Sequence, residues 1–551
     1  MTTSVSENNR TKRGLDEEAR HMVVETVRQL KKKLLTKEKI FEFDKKEIFP
    51  KQTIEKLLSD EIGLQLIFIP EEYGGMGGGA IDCCEVTSEM AKICLGVATA
   101  FFAIQLGTDP LLVGGTKEQK EKWVGKIAEG KVLVAYGVTE PEAGSNVTSI
   151  KTKAEPVVDD DGKKTGYIIN GTKQFISTGG YADFVTVLAN TPEGLTFFIV
   201  EKGTEGFAAG KTEEKHGIRA SNTSSLTFTD VFVPAENLIG GVAGQGLKQS
   251  NKVFGHTRLM VAAMAYGAGT AAIEIAVNYA KERVQFGTLL AQKQGYTHKL
   301  IIPHIVRLEA AKAYIDEIAL RLDLSDEDLQ VEGSIAKYFT TEVANKTADD
   351  AIQALGGYGY IKEFEVEKIK RDVKITCIYE GTSEIQQNII STFRWKKTWK
   401  TKGRFYKNIA DEMKKLDYAG SKFYGLCADA LNKMISIVHI NRLTKKQYIM
   451  FALADMMTYV EVGASLLRKA VSFSKKGDIE AEKLEAISKI FANETAQMVS
   501  TNILKIITGT GAFDEKTVSD IMKSISYNKL VGSYKGILND MDMTANIVFE
   551  R

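Results

Sequence analysis

Residues 353–386, QALGGYGYIKEFEVEKIKRDVKITCIYEGTSEIQ, bring three kinds of chemistry-bearing residue into a short space. Gly356, Gly357 and Gly359 let the backbone approach a ligand closely or take up φ > 0 without a steric penalty. An Arg371–Asp372 pair follows on a charged, helix-like segment. Then comes Tyr379-Glu380-Gly381-Thr382, a carboxylate between an aromatic ring and a glycine, just past the apolar Ile375 and Ile378. A carboxyl at such a helix break sits partly out of water. Desolvation raises its pKa and makes it a candidate general base. The residues alone equally fit a solvent-facing Glu380 beside a helix C-cap glycine.

Three weaker constellations lie upstream. Residues 136–146, YGVTEPEAGSN, carry hydroxyls and backbone N–H groups suited to the edge of a planar heterocycle, or to an ordinary polar turn. Residues 171–177, GTKQFIS, place an aromatic and a hydroxyl near a strand end. Arg283, Gln285, Phe286 and Gly287 follow a long helix, where a cation and an amide could meet a pyrophosphate. Two further stretches read as connections. Residues 70–80, PEEYGGMGGGA, lack the strand-before, helix-after context of a phosphate cradle and predict a flexible loop. Residues 394–404, RWKKTWKTKGR, hold six basic residues and two of the three Trp. They predict a solvated linker, with nucleic acid or an anionic lipid surface as the competing reading.

The elements that must position these residues follow from composition and pattern. A chain of 551 residues exceeds one hydrophobic core. Its 44% hydrophobic and 26% charged content is that of a globular protein, and a net charge of +1 gives no field for nucleic acid. Eight Pro against 48 Gly, with many Lys/Glu/Ala/Leu segments, favour helix. Short β-rich runs between Val132 and about Gly240, such as GYIING and LTFFIVE, predict a compact β insert. The expected fold is mainly α with a β insert: an N-terminal helical domain over 1–131, a central β domain over 132–242, a helical bundle with the catalytic loop over 243–395, and a helical extension over 396–551. The five Cys show no CxxC spacing and no nearby His, which argues against a disulfide framework or a metal site and for a reducing compartment, cytoplasmic or mitochondrial matrix. The first residues lack an apolar signal core, and no uninterrupted apolar run of about twenty residues predicts a membrane span.

Taken together and in order, these motifs resemble the acyl-CoA dehydrogenase family from the N-terminal helices to about Phe393. YGVTEPEAGSN is similar to the family's first signature and RDVKITCIYEGTSEIQ to its second, with GTKQFISTG, KHGIRAS, FVP, ERVQFG and QALGGYGY between them in family order. The resemblance implies two helical bundles flanking a small β domain, with FAD at their junction. It implies that Tyr136, Val138, Thr139, Gly144 and Ser145 lie against the flavin, Ser145 also near the acyl-CoA, and that Phe175 and Ser177 flank the isoalloxazine. Arg283, Gln285 and Phe286, with Gln294, match residues that reach the FAD of a neighbouring subunit. Gln353, Gly356 and Gly357 match the segment along the pyrophosphate and adenosine, and Thr382 and Glu384 match positions completing the site. Glu380 matches the usual base. Thr257, before Arg258, stands where one branch carries its base instead, and Thr cannot serve as one. Asn146 and Gly255 depart from the usual Asp at their positions, and the second departure weakens the carry-over of CoA contacts to Phe254 and Arg258.

The resemblance also sets expectations for substrate and partners. Tyr379 and Gly381 border the acyl site, and Ala98 and Phe102 align with the helix flooring the acyl pocket. Phe102 argues for a short, medium or cyclic acyl group, unless it only packs in the core. Electron-transferring flavoprotein is the expected acceptor, and a homo-oligomer, a dimer rather than a tetramer, is expected from the shared cofactor and the extension. Membrane association through the basic run is the less favoured outcome. An oxidase, an enoyl-CoA reductase and a non-catalytic scaffold are the alternatives.

Overall fold

The computed structural model describes residues 13–325 and 327–551. The reading of residues 1–12 as lacking a signal core lies outside the described residues. The chain forms two compact units, one built from the residues up to Ala268 with Ala319–Gln330 and Arg371–Ile375, the other from Gly269–Ile318, Val331–Lys370 and Thr376–Arg551.

The first unit begins with helices α1 (Glu17–Lys33), α2 (Lys37–Lys46) and α3 (Lys51–Leu58). Asp16 caps α1 by accepting from the Ala19 N–H, and acidic residues open that helix while lysines close it, as the helix dipole favours. Helix α4 (Ala80–Gly114) follows, then the short turns α5 (Lys117–Gln119) and α6 (Gly125–Ala128). The glycine-rich stretch before α4 is a packed cap rather than a free loop. Asp323 accepts from the N–H groups of Ala80 (2.6 Å) and Ile81 (3.1 Å), and a Cβ on Gly79 would lie 2.6 Å from the same carboxylate. The glycine is there for that close approach.

The β insert is a seven-stranded sheet: β1 (Val134–Gly137), β2 (Lys153–Val158), β3 (Lys164–Ser177), β4 (Phe184–Thr191), β5 (Gly194–Glu201), β6 (Phe207–Thr212) and β7 (Thr223–Pro234). Their order is β1-β4-β2-β3-β7-β6, with β5 paired to β4. Alternate residues Val185, Val187 and Ala189 of β4 face Phe198 and Val200 of β5 and Val231 and Val233 of β7 in one buried cluster. The β3–β7 ladder slips between Lys173 and Ile176, which frees the intervening residues from regular pairing. Helix α7 (Gly246–Glu282) follows the sheet and passes from the first unit into the second after Ala268.

The second unit is helical. It includes the small hairpin β8 (Val284–Gln285) and β9 (Thr288–Leu289), helices α8 (Gln294–Leu300), α9 (Ile302–Leu324), α10 (Gln330–Leu355), α11 (Glu365–Val373) and α12 (Ser383–Lys400), of which α9 to α11 lend residues to both units. Beyond them come α13 (Arg404–Leu416), α14 (Ser421–Ile440), α15 (Gln447–Phe473), α16 (Ile479–Ile507), α17 (Glu515–Ser524), α18 (Tyr527–Val531) and α19 (Ile537–Val548). The basic run at 394–404 is not a solvated linker: most of it is the last turns of α12. Arg394 is buried and bonded to Glu461 (2.8 Å) and Glu332 (2.9 Å), and the Trp399 ring lies on His439 at 3.7 Å between centroids. Arg394 alone spends its charge on buried carboxylates of neighbouring helices, while Lys396, Lys397, Lys400, Lys402 and Arg404 stay exposed. Helices α4, α7 and α15 are long and apolar enough to cross a membrane, contrary to the sequence expectation, yet 83%, 72% and 83% of their apolar windows are buried within the protein. A helix apolar on most sides is what a bundle core demands.

Candidate functional site

The loop bearing Glu380 joins a 3₁₀ turn at Lys374–Cys377 to α12. Glu380 (φ 54°) and Gly381 (φ 86°) are successive left-handed residues, a conformation that costs a glutamate energy. Two side chains hold it. The buried Lys337 donates to the Gly381 carbonyl at 2.7 Å, and Gln386 Nε2 donates to the carbonyls of Glu380 and Gly381 at 3.0 Å each. Thr382 caps α12 by accepting from the Ile385 N–H, and Ser383 donates to Glu342 at 2.6 Å. Gly381 therefore stands at the entry to α12 instead of serving as a simple C-cap. Tyr379, Glu380, Gly381 and Thr382 are half-buried, and Glu384 is exposed. Lys337 and Gln386 were not singled out from sequence, since a mid-helix lysine reads as a surface residue.

In the β-containing unit the two predicted flavin segments are joined by a buried ion pair. Lys173, fully buried, donates to Glu140 at 2.7 Å and to the Val138 carbonyl at 3.2 Å. Glu140 also accepts from the N–H groups of Lys151 (2.6 Å) and Thr152 (3.0 Å), and the Gln174 N–H bonds the Thr139 carbonyl at 2.8 Å. Burial, opposed by Glu140, draws Lys173 down to about 8. Burial pushes Glu140 up, but the Lys173 ammonium and the N–H donors outweigh it and hold the carboxyl below its usual range. Tyr136 and Val138 are buried and Thr139 half-buried; Gly144 and Ser145 are exposed. On β3, Phe175 takes φ 59° at the ladder slip and is 63% exposed, with Ser177 half-buried two residues on. Nearby in this unit the Tyr136 and Phe254 rings meet edge to face at 6.4 Å, and the Arg258 guanidinium lies 5.9 Å from the Phe254 ring. Ala98 and Phe102 are both buried on α4, with Phe102 edge-on to Phe101 at 5.0 Å.

In the helical unit, Arg283, Gln285, Gln353, Gly356 and Gly357 line one groove of about 440 Å³, together with Tyr279, Leu290, Tyr358 and Ile361. The fit to a dinucleotide is physical. Gly356 takes φ 61°, which its backbone alone asks of a glycine, whereas Gly357 is outside the left-handed region and a Cβ built on it meets no atom within 4 Å, so Gly357 answers no packing need inside the chain and keeps the groove clear. Arg283 supplies a cation for a pyrophosphate, and Tyr279 and Tyr358 offer aromatic faces. The two tyrosines escaped the sequence reading, although Tyr358 lies inside the glycine motif. Two expected members stand apart from the lining. Phe286 projects from the hairpin tip, 96% exposed, and Gln294 donates to Asp542 on α19 at 3.0 and 3.2 Å.

Comparison with known proteins gives the family. The chain matches three family models: acyl-CoA dehydrogenase, N-terminal domain (residues 17–131), middle domain (135–231) and C-terminal domain (244–393 and 420–532). It is 40% identical over 359 residues to a Bacillus subtilis (strain 168) protein named acyl-CoA dehydrogenase, covering 64% of this chain and 91% of that one. It is 38% identical to the acryloyl-CoA reductase (NADH) of Anaerotignum propionicum, covering 64% and 88%. Among solved structures, butyryl-CoA dehydrogenase from Megasphaera elsdenii superposes with a TM-score of 0.64 at 37% identity, over 68% of this chain and 97% of that one. An acyl-CoA dehydrogenase from Bacillus anthracis, described in complex with FAD, covers 98% of this chain and 96% of its own with a TM-score of 0.84; at 23% identity it speaks for the fold, extension included. The chain belongs to the acyl-CoA dehydrogenase family. It is an FAD-dependent oxidoreductase.

Proposed function

We propose that the protein dehydrogenates an acyl-CoA thioester at Cα–Cβ to the trans-2-enoyl-CoA. Glu380 is the base that takes the Cα proton. Its own N–H, presented by the left-handed turn, polarises the thioester carbonyl as enolate character develops. Bound FAD supplies the acceptor for the Cβ hydride. Tyr136, Val138, Thr139, Gly144 and Ser145 with Phe175 and Ser177 serve the flavin end, with Thr382 and Glu384 beside the base. Arg283, Gln285, Gln353, Gly356 and Gly357 serve the dinucleotide end. Tyr379, Phe254, Arg258 and Ser145 serve the thioester. The observation that carries this reading is the strained, doubly held loop: the left-handed Glu380 with its carbonyl and that of Gly381 fixed by Lys337 and Gln386.

The acyl group is short, medium or cyclic. Support comes from the bulk of Phe102 on the buried face of α4 and from relatives named short-chain specific, such as that of Megasphaera elsdenii at 40% identity. The working assembly is a dimer, in which the exposed Phe286 reaches the partner's cofactor, and electrons leave to electron-transferring flavoprotein. A related chain belongs to a solved structure described as an electron-transferring flavoprotein of Acidaminococcus fermentans, at 34% identity.

Glu380→Gln tests the chemistry. The variant should stay yellow and bind acyl-CoA but lose most anaerobic flavin reduction; reduction at the wild-type rate would end the assignment. A second reading, enoyl-CoA reduction, is favoured by the relative named acryloyl-CoA reductase (NADH). By microscopic reversibility the same base would return the proton. Reduction of an enoyl-CoA by the isolated holoenzyme with NADH, without bleaching by saturated acyl-CoAs, would favour it.

A further inference from the structure

Helix α12 begins three residues after Glu380, and Gln386 in its first turns bonds the carbonyls of Glu380 and Gly381 at 3.0 Å. Any sliding or rotation of α12 therefore moves the base. The structure shows what holds the helix. Gln387 donates to Asp455 of α15 at 2.8 Å and to the Tyr338 hydroxyl at 3.0 Å, and Tyr338 of α10 donates to the same Asp455 oxygen at 2.8 Å. Seven residues on, on the same helix face, Arg394 makes a two-pronged pair with Glu461 of α15, 2.8 Å on each arm, and reaches Glu332 of α10 at 2.9 Å. Tyr406 of α13 adds a third hydrogen bond to Glu461 at 2.8 Å. The charged groups facing Asp455 from elsewhere are Glu342 of α10 and Lys505 of α16. Each anchor of α12 thus joins an acidic residue of the extension, Asp455 or Glu461, to a residue of α10, Tyr338 or Glu332, and both are polar contacts in low-dielectric surroundings, where fixed geometry is gained at the cost of desolvation.

We propose that the C-terminal extension positions the base: Asp455 and Glu461, by holding Gln387 and Arg394, fix α12 and through Gln386 the main chain at Glu380. This rests on Glu380 being the base. Asp455 and Glu461 are positioning residues and touch no reactant. The neighbouring Lys337 completes the arrangement from α10, so that the turn is held from one side by the bundle and from the other by a helix the extension anchors.

The test uses the full-length holoenzyme with butyryl-CoA under anaerobic conditions, measuring flavin bleaching against pH. Asp455→Leu and Gln387→Leu should each slow reduction by roughly 10–100-fold, as a misplacement near 1 Å does. KM should change little, the acid limb of the pH profile should shift, and bound FAD should remain stoichiometric. Asp455→Asn, which keeps an acceptor oxygen, should restore most of the rate. Arg468→Met is the control. Arg468 ties the extension to Glu317 of α9 and, within the extension, bonds Glu412 of α13, away from α12. It should lower the melting temperature without changing rate or profile. Wild-type reduction with an unshifted profile in Asp455→Leu and Gln387→Leu overturns the proposal, as does an equal loss in Arg468→Met. If Asp455→Leu does not fold, Gln387→Leu decides. If Glu380→Gln reduces flavin normally, the assignment of the base has failed; if Glu380→Gln is inactive and Gln387→Leu is not slowed, only the positioning role has.

Discussion

Gly357 offers a clean probe of the groove, because the fold itself is indifferent to a side chain there. A Cβ at this position meets nothing within 4 Å, and the residue lies outside the left-handed region. Alanine should leave the cofactor-free chain as stable as before or raise its stability by about 0.4–1 kcal/mol through the unfolded state. With a dinucleotide in place the methyl intrudes on it. Overpacking costs about 1–3 kcal/mol, equivalent to a loss in FAD affinity of roughly 5–150-fold. Gly359→Ala is the opposite case: its Cβ would lie 2.4 Å from the Ile352 carbonyl, so the chain should lose stability whether or not FAD is present. Titrating deflavinated protein with FAD by flavin fluorescence, alongside melting temperatures without FAD, separates the two patterns. An unchanged FAD affinity in Gly357→Ala would mean that this groove does not hold the dinucleotide.

Other outcomes follow from buried groups. Burial draws Lys173 down to about 8, below the unfolded value of about 10.4. Between those values the unfolded chain holds the additional proton, so this lysine's contribution to stability grows with pH, by up to about 1.4 kcal/mol per unit. The melting-temperature gap between wild type and Lys173→Met should widen from pH 8 to 10; a constant gap would show that the amine does not titrate there. Phe102→Ala should cost about 3–5 kcal/mol, as for a buried aromatic. If Phe102 floors the acyl pocket, the same variant should shift flavin bleaching toward longer acyl-CoAs in a chain-length panel, whereas loss of stability with an unchanged preference would assign Phe102 to the core alone.

The class of fold was legible because the signals were local and strong: β-rich runs bounded by turn residues, long helical stretches, and motifs in family order. Contacts between residues distant in sequence were hidden. Nothing in RWKKTWK announces that Arg394 will meet Glu461 and Glu332, and a basic run normally means solvent. Gly79 reads as flexibility until Asp323, 244 residues on (323 − 79), is seen to need the space its Cβ would fill. Lys173 sits inside a motif quoted for Phe175 and Ser177, yet its burial against Glu140 is what connects that motif to the first signature, which the sequence shows only as separate. The second match of the C-terminal family model, at 420–532, was equally hidden. KIITGTGAF at 505–513 parallels QALGGYGYI at 353–361 only loosely, with Lys505 in place of Gln353 and Thr508 in place of Gly356.

Phe286 carries the most pointed conflict between local chemistry and the residue present. Gln285 pairs with Thr288 in the β8–β9 hairpin, leaving Phe286 and Gly287 as a two-residue loop with φ 51° and 77°. Both central residues at positive φ define a type I′ turn, for which Asn-Gly is the favoured pair and phenylalanine a poor choice. The left-handed conformation costs an ordinary side chain roughly 1–2 kcal/mol, and a ring that is 96% exposed recovers little beyond the Lys293 ammonium 5.4 Å away. On the proposed function the ring reaches the cofactor of a partner subunit, a contact that would offset both costs. Phe286→Asn should therefore raise the melting temperature of the cofactor-free protein, or leave it unchanged, while weakening FAD retention and dimerisation. A drop in melting temperature with FAD affinity and sedimentation unchanged would show instead that the ring serves the hairpin itself, and would remove the main structural support for a cofactor shared between subunits.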